Sequence, residues 1–507
     1  MQAFSVEQSI LEGENQVEEL FKFVGNMSCS LEAYEMEKAI FTRLMKIGSS
    51  ALKAYFASVG TGDVASALLL EDGTIMKKQP GLCGRNYFSV FGKIKVPRTC
   101  YRGGDTAGVM PLDAQVNFPE RCYSYLLQEW MDIFNIRDSF SESKISLNKL
   151  LGLQISQSRF EVVSRDSCID YDEFYADKSV PDSETERELQ VLSFDGKGVP
   201  VIKKEAARIK ARLDKGEKTQ KKKEAMVGVS YTSDRNIRTP EQVAMNLVYP
   251  EKSKKEKDET KTTPSVSIKG QNIRRMASLE RPKEEVMNEI VNDANRRDPQ
   301  KNRSWVVVMD GALHLWTLIA SVLKGVDYTG ILDIIHAVEY LWDVANALNK
   351  NKKKEMDRHK WVHTRLLSIL NGNVSIIIDE LEQMLSNKKK KLTKTQIEEI
   401  QRVITYFTNH KQWMQYDKYL EAGYPIGSGV VESACGHTVK NRMEGTGRRW
   451  SIKGAESILL LRSIYTSLDW DEYWRSHMIL QREQQYDAFL NASYETADDY
   501  KKDLIRA

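Results

Sequence analysis

The sequence predicts an α/β core set within a longer, mainly helical chain, and three observations point there. A short apolar run ending in an acid and a glycine occurs twice, as "ELQVLSFDG" over 188–196 and "WVVVMDG" over 305–311. Each reads as a buried strand followed by a turn. After the second run come an apolar helical segment, "ALHLWTLIASVLKG", a further strand, "YTGILDII", and an amphipathic helix, "HAVEYLWDVANALN". Residues 350–420 carry helical, lysine-rich text with no strand pattern. Strands alternating with helices in this way build an α/β sheet.

At 507 residues the chain exceeds one ordinary core, so two to four domains are expected. With 41% hydrophobic and 29% charged residues, the composition is that of a soluble globular protein. No window approaches the ~18–20 uncharged apolar residues of a membrane span, so no membrane partner is expected. The first residues, "MQAFSVEQSILEGENQ", lack a basic segment followed by an apolar one, which reads as no secretion signal. Cys29, Cys83, Cys100, Cys122, Cys168 and Cys435 are scattered with no CxxC. That pattern favours reduced thiols in a cytoplasmic protein over a disulfide scaffold or a zinc site.

Taken in order, residues 1–70 read as a helical region, with Leu31, Met36, Ile40, Leu44, Ile47 and Leu52 at roughly helical spacing. Residues 71–130 form a small β-containing module around the hairpin text "YFSVFGKIKVPRTCYRGG". Within 131–185, "SFSESKISLNKLLGLQISQSRFEVVSR" resembles a helix-turn-helix. One helix ends at Gly152, and Ser156 can cap a second that leads with Gln157, Ser158 and Arg159. In a major groove those residues would sit at the leading end, although such helical hairpins also serve as plain packing units. Residues 186–345 hold the strand candidates 188–195, 225–232 and 305–309, with a basic arm at 201–224 and a polar excursion at 251–300. Residues 346–420 are helical, 421–470 carry a Gly-Ser-Gly turn and one acid, and 471–507 read as a helical tail.

The net charge of +3 says little, but its distribution says more. The run 201–224 holds ten Lys/Arg against four acids, and further basic runs fall at 352–354, 388–391 and 440–449. Such clusters are footprints for a polyanion, or else solvated faces and linkers.

Three acids stand in related places. Asp195 and Asp310 each end a strand before a glycine, and Glu432 follows the turn Gly427-Ser428-Gly429 near a helix start. Strand ends gather along one edge of an open sheet, so these acids can converge. Three such carboxylates suit hard divalent cations and two-metal phosphoryl transfer, with ions ~3.5–4 Å apart. The flanking glycines fit a backbone that a phosphodiester approaches closely. A strand-end acid also serves simply to cap the next helix, and spacing alone leaves both readings open.

Four segments together carry a resemblance: "LSFDGKGV", "VVVMDGALHLW", "ILDIIHAVEYLW" and "GSGVVESACGHTVKNRMEGTGRRWSIKGAESILLLR". In this order, from about Leu192 to Trp474, they resemble the DDE transposases of ISKra-type bacterial insertion sequences. Weaker likeness extends to "FGKIKVPRTCYR" and "PLDAQ". The resemblance implies an RNase H-like core, a mixed sheet flanked by helices, with 346–420 as a helical insertion and a mainly helical N-terminal DNA-binding region. It implies Asp195, Asp310 and Glu432 as a catalytic triad holding two Mg²⁺ or Mn²⁺ ions. It implies double-stranded DNA, as transposon ends and target, for the substrate, and cleavage followed by strand transfer. It also implies a homodimer or larger assembly and a bacterial, nucleoid-associated location. Asp333 and His336 match a D-x-x-H element and are expected to support the site; the alternative is a helix cap and a packing or phosphate-binding histidine. Relatives often carry paired cysteines after the strand matching "VFGKIKV", but here Cys100 stands alone, so no zinc is expected. A chain adopted by its host for DNA binding without chemistry, or a hydrolytic nuclease, are the competing functions.

Other candidates complete the set. Lys197, Lys440, Arg442, Arg448 and Arg449, with Arg159, are expected to contact DNA, where phosphate contacts supply affinity rather than sequence reading. Trp450 is either a base-stacking platform or core. His359 and His363 have the spacing of a zinc pair, but the glutamate that a zincin needs is missing, which favours a surface pair.

Overall fold

The computed structural model describes residues 2–26, 31–103, 108–207, 212–213, 221–250, 270–348, 355–387, 392–445 and 447–490. The chain divides into two compact units, 1–177 with 470–507, and 178–469.

The first unit begins with the helices Val6–Asn26 and Ala33–Val59. Gln16 accepts from Ser50 (3.1 Å), Glu12 pairs with Lys53 (3.2 Å), and the Arg43 guanidinium lies 3.6 Å over the Phe23 ring. These rungs run in opposite sequence directions, so the helices are antiparallel. Strands β1 (Ala67–Leu69), β2 (Ile75–Lys78) and β5 (Tyr101–Arg102) form one small sheet. Strands β3 (Cys83–Ser89) and β4 (Gly92–Arg98) form the expected hairpin, with Gly92 at φ 111° closing its turn. Three helices follow: Tyr125–Asn135, Phe140–Leu151 and Gln157–Asp166. A capping box between Ser139 and Glu142 starts the second, and Gly152 at φ 65° ends it, as the sequence predicts. Ser156 precedes the third without a side-chain cap bond; its hydroxyl lies 3.1 Å from that of Ser158. The trio shares a core of Leu127, Met131, Leu147, Ile155, Phe160 and Val163. The C-terminal helix Trp470–Leu490 belongs to this unit, where Tyr473 donates to the Ser167 carbonyl (2.6 Å) and buried His477 meets Asp170 (2.6 Å).

The second unit is built on a mixed sheet. Its strands are β6 (Leu189–Pro200), β7 (Arg212–Leu213), β8 (Lys221–Ser233), β9 (Gln271–Ser278), β10 (Ser304–Met309) and β11 (Thr329–Leu332). The order is β11-β10-β6-β8, with β9 and the short β7 both pairing with β8. β10 is parallel to β6 and β11, whereas β8 is antiparallel to β6 and β9 antiparallel to β8. The first six residues of β6 are all buried, the polar Gln190 and Ser193 among them, which is why the sequence shows no regular alternation.

Two elements contradict the polar excursion expected over 251–300. Residues 271–278 are strand β9, and Lys283–Arg297 is a helix. The strand hides behind Arg274 and Arg275, whose backbone is held by neighbours: the Arg275 amide donates to the Ser467 hydroxyl (2.8 Å). The helix buries only the stripe Val286, Met287, Ile290, Val291, Ala294 and Arg297, and its other positions are charged or polar. The part 251–269 lies outside the described residues, as do 208–211 and 214–220 of the basic arm and the runs 352–354 and 388–391. What is described of the arm is a short helix at Lys203–Ala206 and strands β7 and β8, so its final lysines belong to the sheet.

Within 355–421 the described residues form the helices Glu355–Leu370, Val374–Ser386, Lys394–His410 and Tyr416–Glu421. The third starts at a capping box of Thr393 and Gln396 and buries Ile400, Val403, Ile404, Phe407 and His410. It packs on the helix Ile334–Leu348. The helix Ile452–Thr466 is buried on every side from Gly454 to Ile464, an interior helix rather than an amphipathic one.

Candidate active site

Phe194 and Met309 are partners in the parallel β6–β10 ladder, so Asp195 and Asp310 are the next residues of adjoining strands. The two acids therefore stand side by side where β10 ends, but only Asp310 follows a strand end: β6 runs on to Pro200, which corrects the expectation that Asp195 ends its strand. Asp195 remains within β6, opposite Val227 of β8. Its Oδ1 accepts from the Gly196 amide (2.6 Å), and its Oδ2 accepts from the Cys435 thiol (3.2 Å). Burial pushes the Asp195 carboxyl up; the Cys435 bond opposes this, the charge of Asp310 adds to it, and Lys197 draws it back. Asp310 turns its Oδ1 onto the Ala312 amide (3.1 Å), and its carbonyl accepts from the Trp316 indole (2.8 Å).

Glu432 lies in the short helix Gly429–Ala434, which runs into a π-helical turn over Cys435–Lys440. Such turns recur at functional sites. The Glu432 side chain lies outside the described residues, but its backbone sits one turn ahead of Cys435. The helix packs on β6 and β8, and the Cys435 thiol ties it to Asp195.

Asp333 is fully buried and does two jobs. Its Oδ1 caps the helix Ile334–Leu348 at the Ile335 amide (2.8 Å), and its Oδ2 accepts from the Ser428 hydroxyl. With the Ile334 amide bonded to the Ile426 carbonyl (2.9 Å), this pins the Gly-Ser-Gly turn that precedes the Glu432 helix. His336 is partly exposed and turns to Glu339 (3.1 Å) on its own helix, so the two halves of the expected D-x-x-H pair part company.

The basic residues divide. Lys440 and Arg449 are exposed, and Arg448 donates to the Arg442 carbonyl (2.9 Å). Arg442 corrects the expectation of a DNA contact: it is 1% exposed, its guanidinium 4.3 Å over the Trp450 ring. A Lys/Arg-rich string hides this because a long stem buries easily once an aromatic face receives the cation. Trp450 is core, its indole donating to the Met443 carbonyl (3.2 Å) and its backbone pairing with Pro200 and Ile202. Arg159, in the first unit, is exposed with Gln157 and Ser158 at the head of its helix. His359 and His363 pack against Tyr249, and His359 also against Trp342. Among the described residues no set of three or more His, Cys, Asp or Glu is arranged to hold a metal.

The glycines after the acids have a different reason from the one expected. A Cβ at Gly196 would lie 2.2 Å from Glu224 Oε1, and one at Gly311 would lie 2.3 Å from the Tyr406 ring. Protein side chains, rather than an approaching phosphodiester, fill both spaces. Glu224 in turn pairs with Lys283 (2.6 Å). The sequence does not single out Tyr406 and His410, because an aromatic and a histidine four apart on a helix look like ordinary core spacing.

No protein-family model and no curated protein matches the chain. Among solved structures the chain is similar to a Drosophila P element transposase strand transfer complex, at 10% identity, over 74% of this chain and 83% of that one, with a TM-score of 0.24. At that score the likeness carries no argument, and the functional reading stands on the site.

Proposed function

We propose that the chain is a DDE transposase of the ISKra type, acting on double-stranded DNA at transposon ends as a homodimer or larger assembly. The observation that carries this reading is the placing of Asp195 and Asp310 side by side on adjoining parallel strands, with the Glu432 helix tied to Asp195 through Cys435. The mixed sheet, with β6 central, β10 and β11 parallel to it and β8 and β9 continuing antiparallel, is compatible with an RNase H-like core.

The two described acids fit a divalent cation. They are hard oxygen donors, and burial with mutual repulsion raises the Asp195 carboxyl, a cost that a dication relieves. Asp195, Asp310 and Glu432 would hold Mg²⁺ or Mn²⁺, two ions per site, and the bound ions supply the charge stabilisation that in-line attack on a phosphodiester requires. The chain's own residues do the rest. Lys197 sits close enough for its charge to be felt at Asp195, where it draws a phosphate inward. Asp333 holds the turn ahead of Glu432. Exposed Lys440 and Arg449 hold backbone phosphates, and the Gln157–Arg159 helix head reads a groove.

The test is incubation of the full chain with DNA containing the element's ends and Mg²⁺ or Mn²⁺, beside Asp195→Asn and Glu432→Gln. Nicked and joined products from wild type alone support the reading. Nicking without joining indicates a hydrolytic nuclease. DNA binding without either product indicates a non-catalytic binder.

A further inference from the structure

The helical stretch 394–421 does more than separate the second and third acids. Its side chains bond the main-chain carbonyls at the ends of β10 and β11. His410 Nε2 lies 2.9 Å from the Gly311 carbonyl, Tyr416 donates to the Leu332 carbonyl (2.8 Å), and Tyr419 donates to the Gly330 carbonyl (3.0 Å). Trp316, which takes the Asp310 carbonyl, is itself stacked on Trp413 at 4.2 Å. His410 is 3% exposed, and its other nitrogen lies 2.6 Å from the Tyr406 carbonyl. Tyr406 covers Gly311 at a distance that excludes any Cβ, and it is stacked on Tyr340 at 3.9 Å. Its hydroxyl is buried without a hydrogen-bond partner among the described residues.

We propose that Tyr406 and His410 are positioning residues for Asp310, clamping the Asp310–Gly311 backbone so that the carboxylate stays beside Asp195. This rests on the transposase reading and assigns the helical insertion a part in it. The physical need is specific. Past Met309 the ladder with β6 ends, and Gly311 lacks a side chain to restrain it, so an unclamped Asp-Gly would turn freely. The clamp fixes Asp310 from both sides, through its own carbonyl and through that of the next residue. Groups that orient a metal ligand in this way typically set cation affinity by about 10–100-fold.

The experiment measures Mn²⁺ binding to the full chain by the loss of the free-ion paramagnetic resonance signal, with cleavage kinetics measured in parallel. His410→Ala is expected to weaken Mn²⁺ binding by about 10-fold and to raise the Mn²⁺ needed for half-maximal cleavage equally, with the KM for DNA unchanged. His410→Gln keeps an N–H for the Gly311 carbonyl and is expected to recover affinity to within about 3-fold of wild type. Tyr406→Leu, which leaves His410 in place, is expected to move in the same direction as His410→Ala and provides the second variant should that protein not fold. Mn²⁺ affinity lost in Asp195→Asn but unchanged in the folded His410 and Tyr406 variants overturns the positioning role alone. Absence of Mn²⁺ binding from wild type overturns both that role and the transposase reading.

Discussion

At the amino end of β6, Glu186 takes two hydrogen bonds from the Arg297 guanidinium (2.6 and 2.9 Å), with both side chains almost fully buried. Beside it Asp298 accepts from the Arg303 amide (3.1 Å) and the Trp305 indole (2.9 Å) and pairs with the Arg303 guanidinium (3.4 Å). Where β10 ends, Asp310 stands next to Asp195 of β6, and neither has an ion-pair partner among the described residues. One edge of the sheet pairs its acids with arginines; the other sets two carboxylates side by side, Asp195 bonded only to neutral donors among the described residues. The difference separates acids neutralised by arginine within the fold from acids left at least partly open to solvent without a cationic partner among the described residues.

That contrast can be broken from either side. Arg297→Ala leaves the buried Glu186 charge without its cationic partner, and is expected to cost about 3–5 kcal/mol in chemical denaturation. Gly311→Ala forces a methyl against the stacked Tyr406 ring and is expected to cost about 1–3 kcal/mol, less when combined with Tyr406→Leu. The pH profile sharpens the comparison further. Burial alone would raise the Glu186 carboxyl, but bonds from Arg297 and Thr232 outweigh it and hold it below its ordinary value of 4.5. A depressed carboxyl contributes stability above that value and loses it as pH falls through the folded value. Denaturation midpoints should therefore drop below about pH 4.5 in wild type and drop less in Glu186→Gln. At the other edge, Asp195→Asn removes an uncompensated charge. It is expected to leave stability unchanged or raise it by about 0.5–2 kcal/mol in metal-free buffer, while abolishing cleavage. A loss of stability on that substitution would mean that the Asp195 end is matched internally too.

Much of this edge was legible because burial on both faces writes the middle of a parallel strand as a mainly apolar run. β10 stood out most clearly for that reason, β6 less so with Gln190 and Ser193 in it, and with them the placing of Asp195 and Asp310. The helix-turn-helix was legible through Gly152, a residue whose left-handed conformation marks a helix end. β9 and the helix Lys283–Arg297 were not, because one carries two arginines in its middle and the other buries a narrow stripe under a charged surface. Arg442 misled for the converse reason: its charge suggested solvent, yet Trp450 receives it inside the unit. The glycines at 196 and 311 were noticed but misread, since what occupies the space beside a glycine depends on side chains far away in sequence. For Gly311 that side chain is Tyr406, which local text does not connect to it.

The tie between Cys435 and Asp195 spans 240 residues, and the pairing of Trp450 with the end of β6 spans a similar distance. Contacts of such separation form late, since a long loop must close before they stabilise anything. On the ribosome, at about 5–20 residues per second, the strand carrying Asp195 is exposed roughly 10–50 s before the helix that completes its surroundings. Through that interval a growing chain holds acids but no enclosed site. The surroundings of Asp195 are therefore completed only once the chain has been made as far as Cys435 and Trp450.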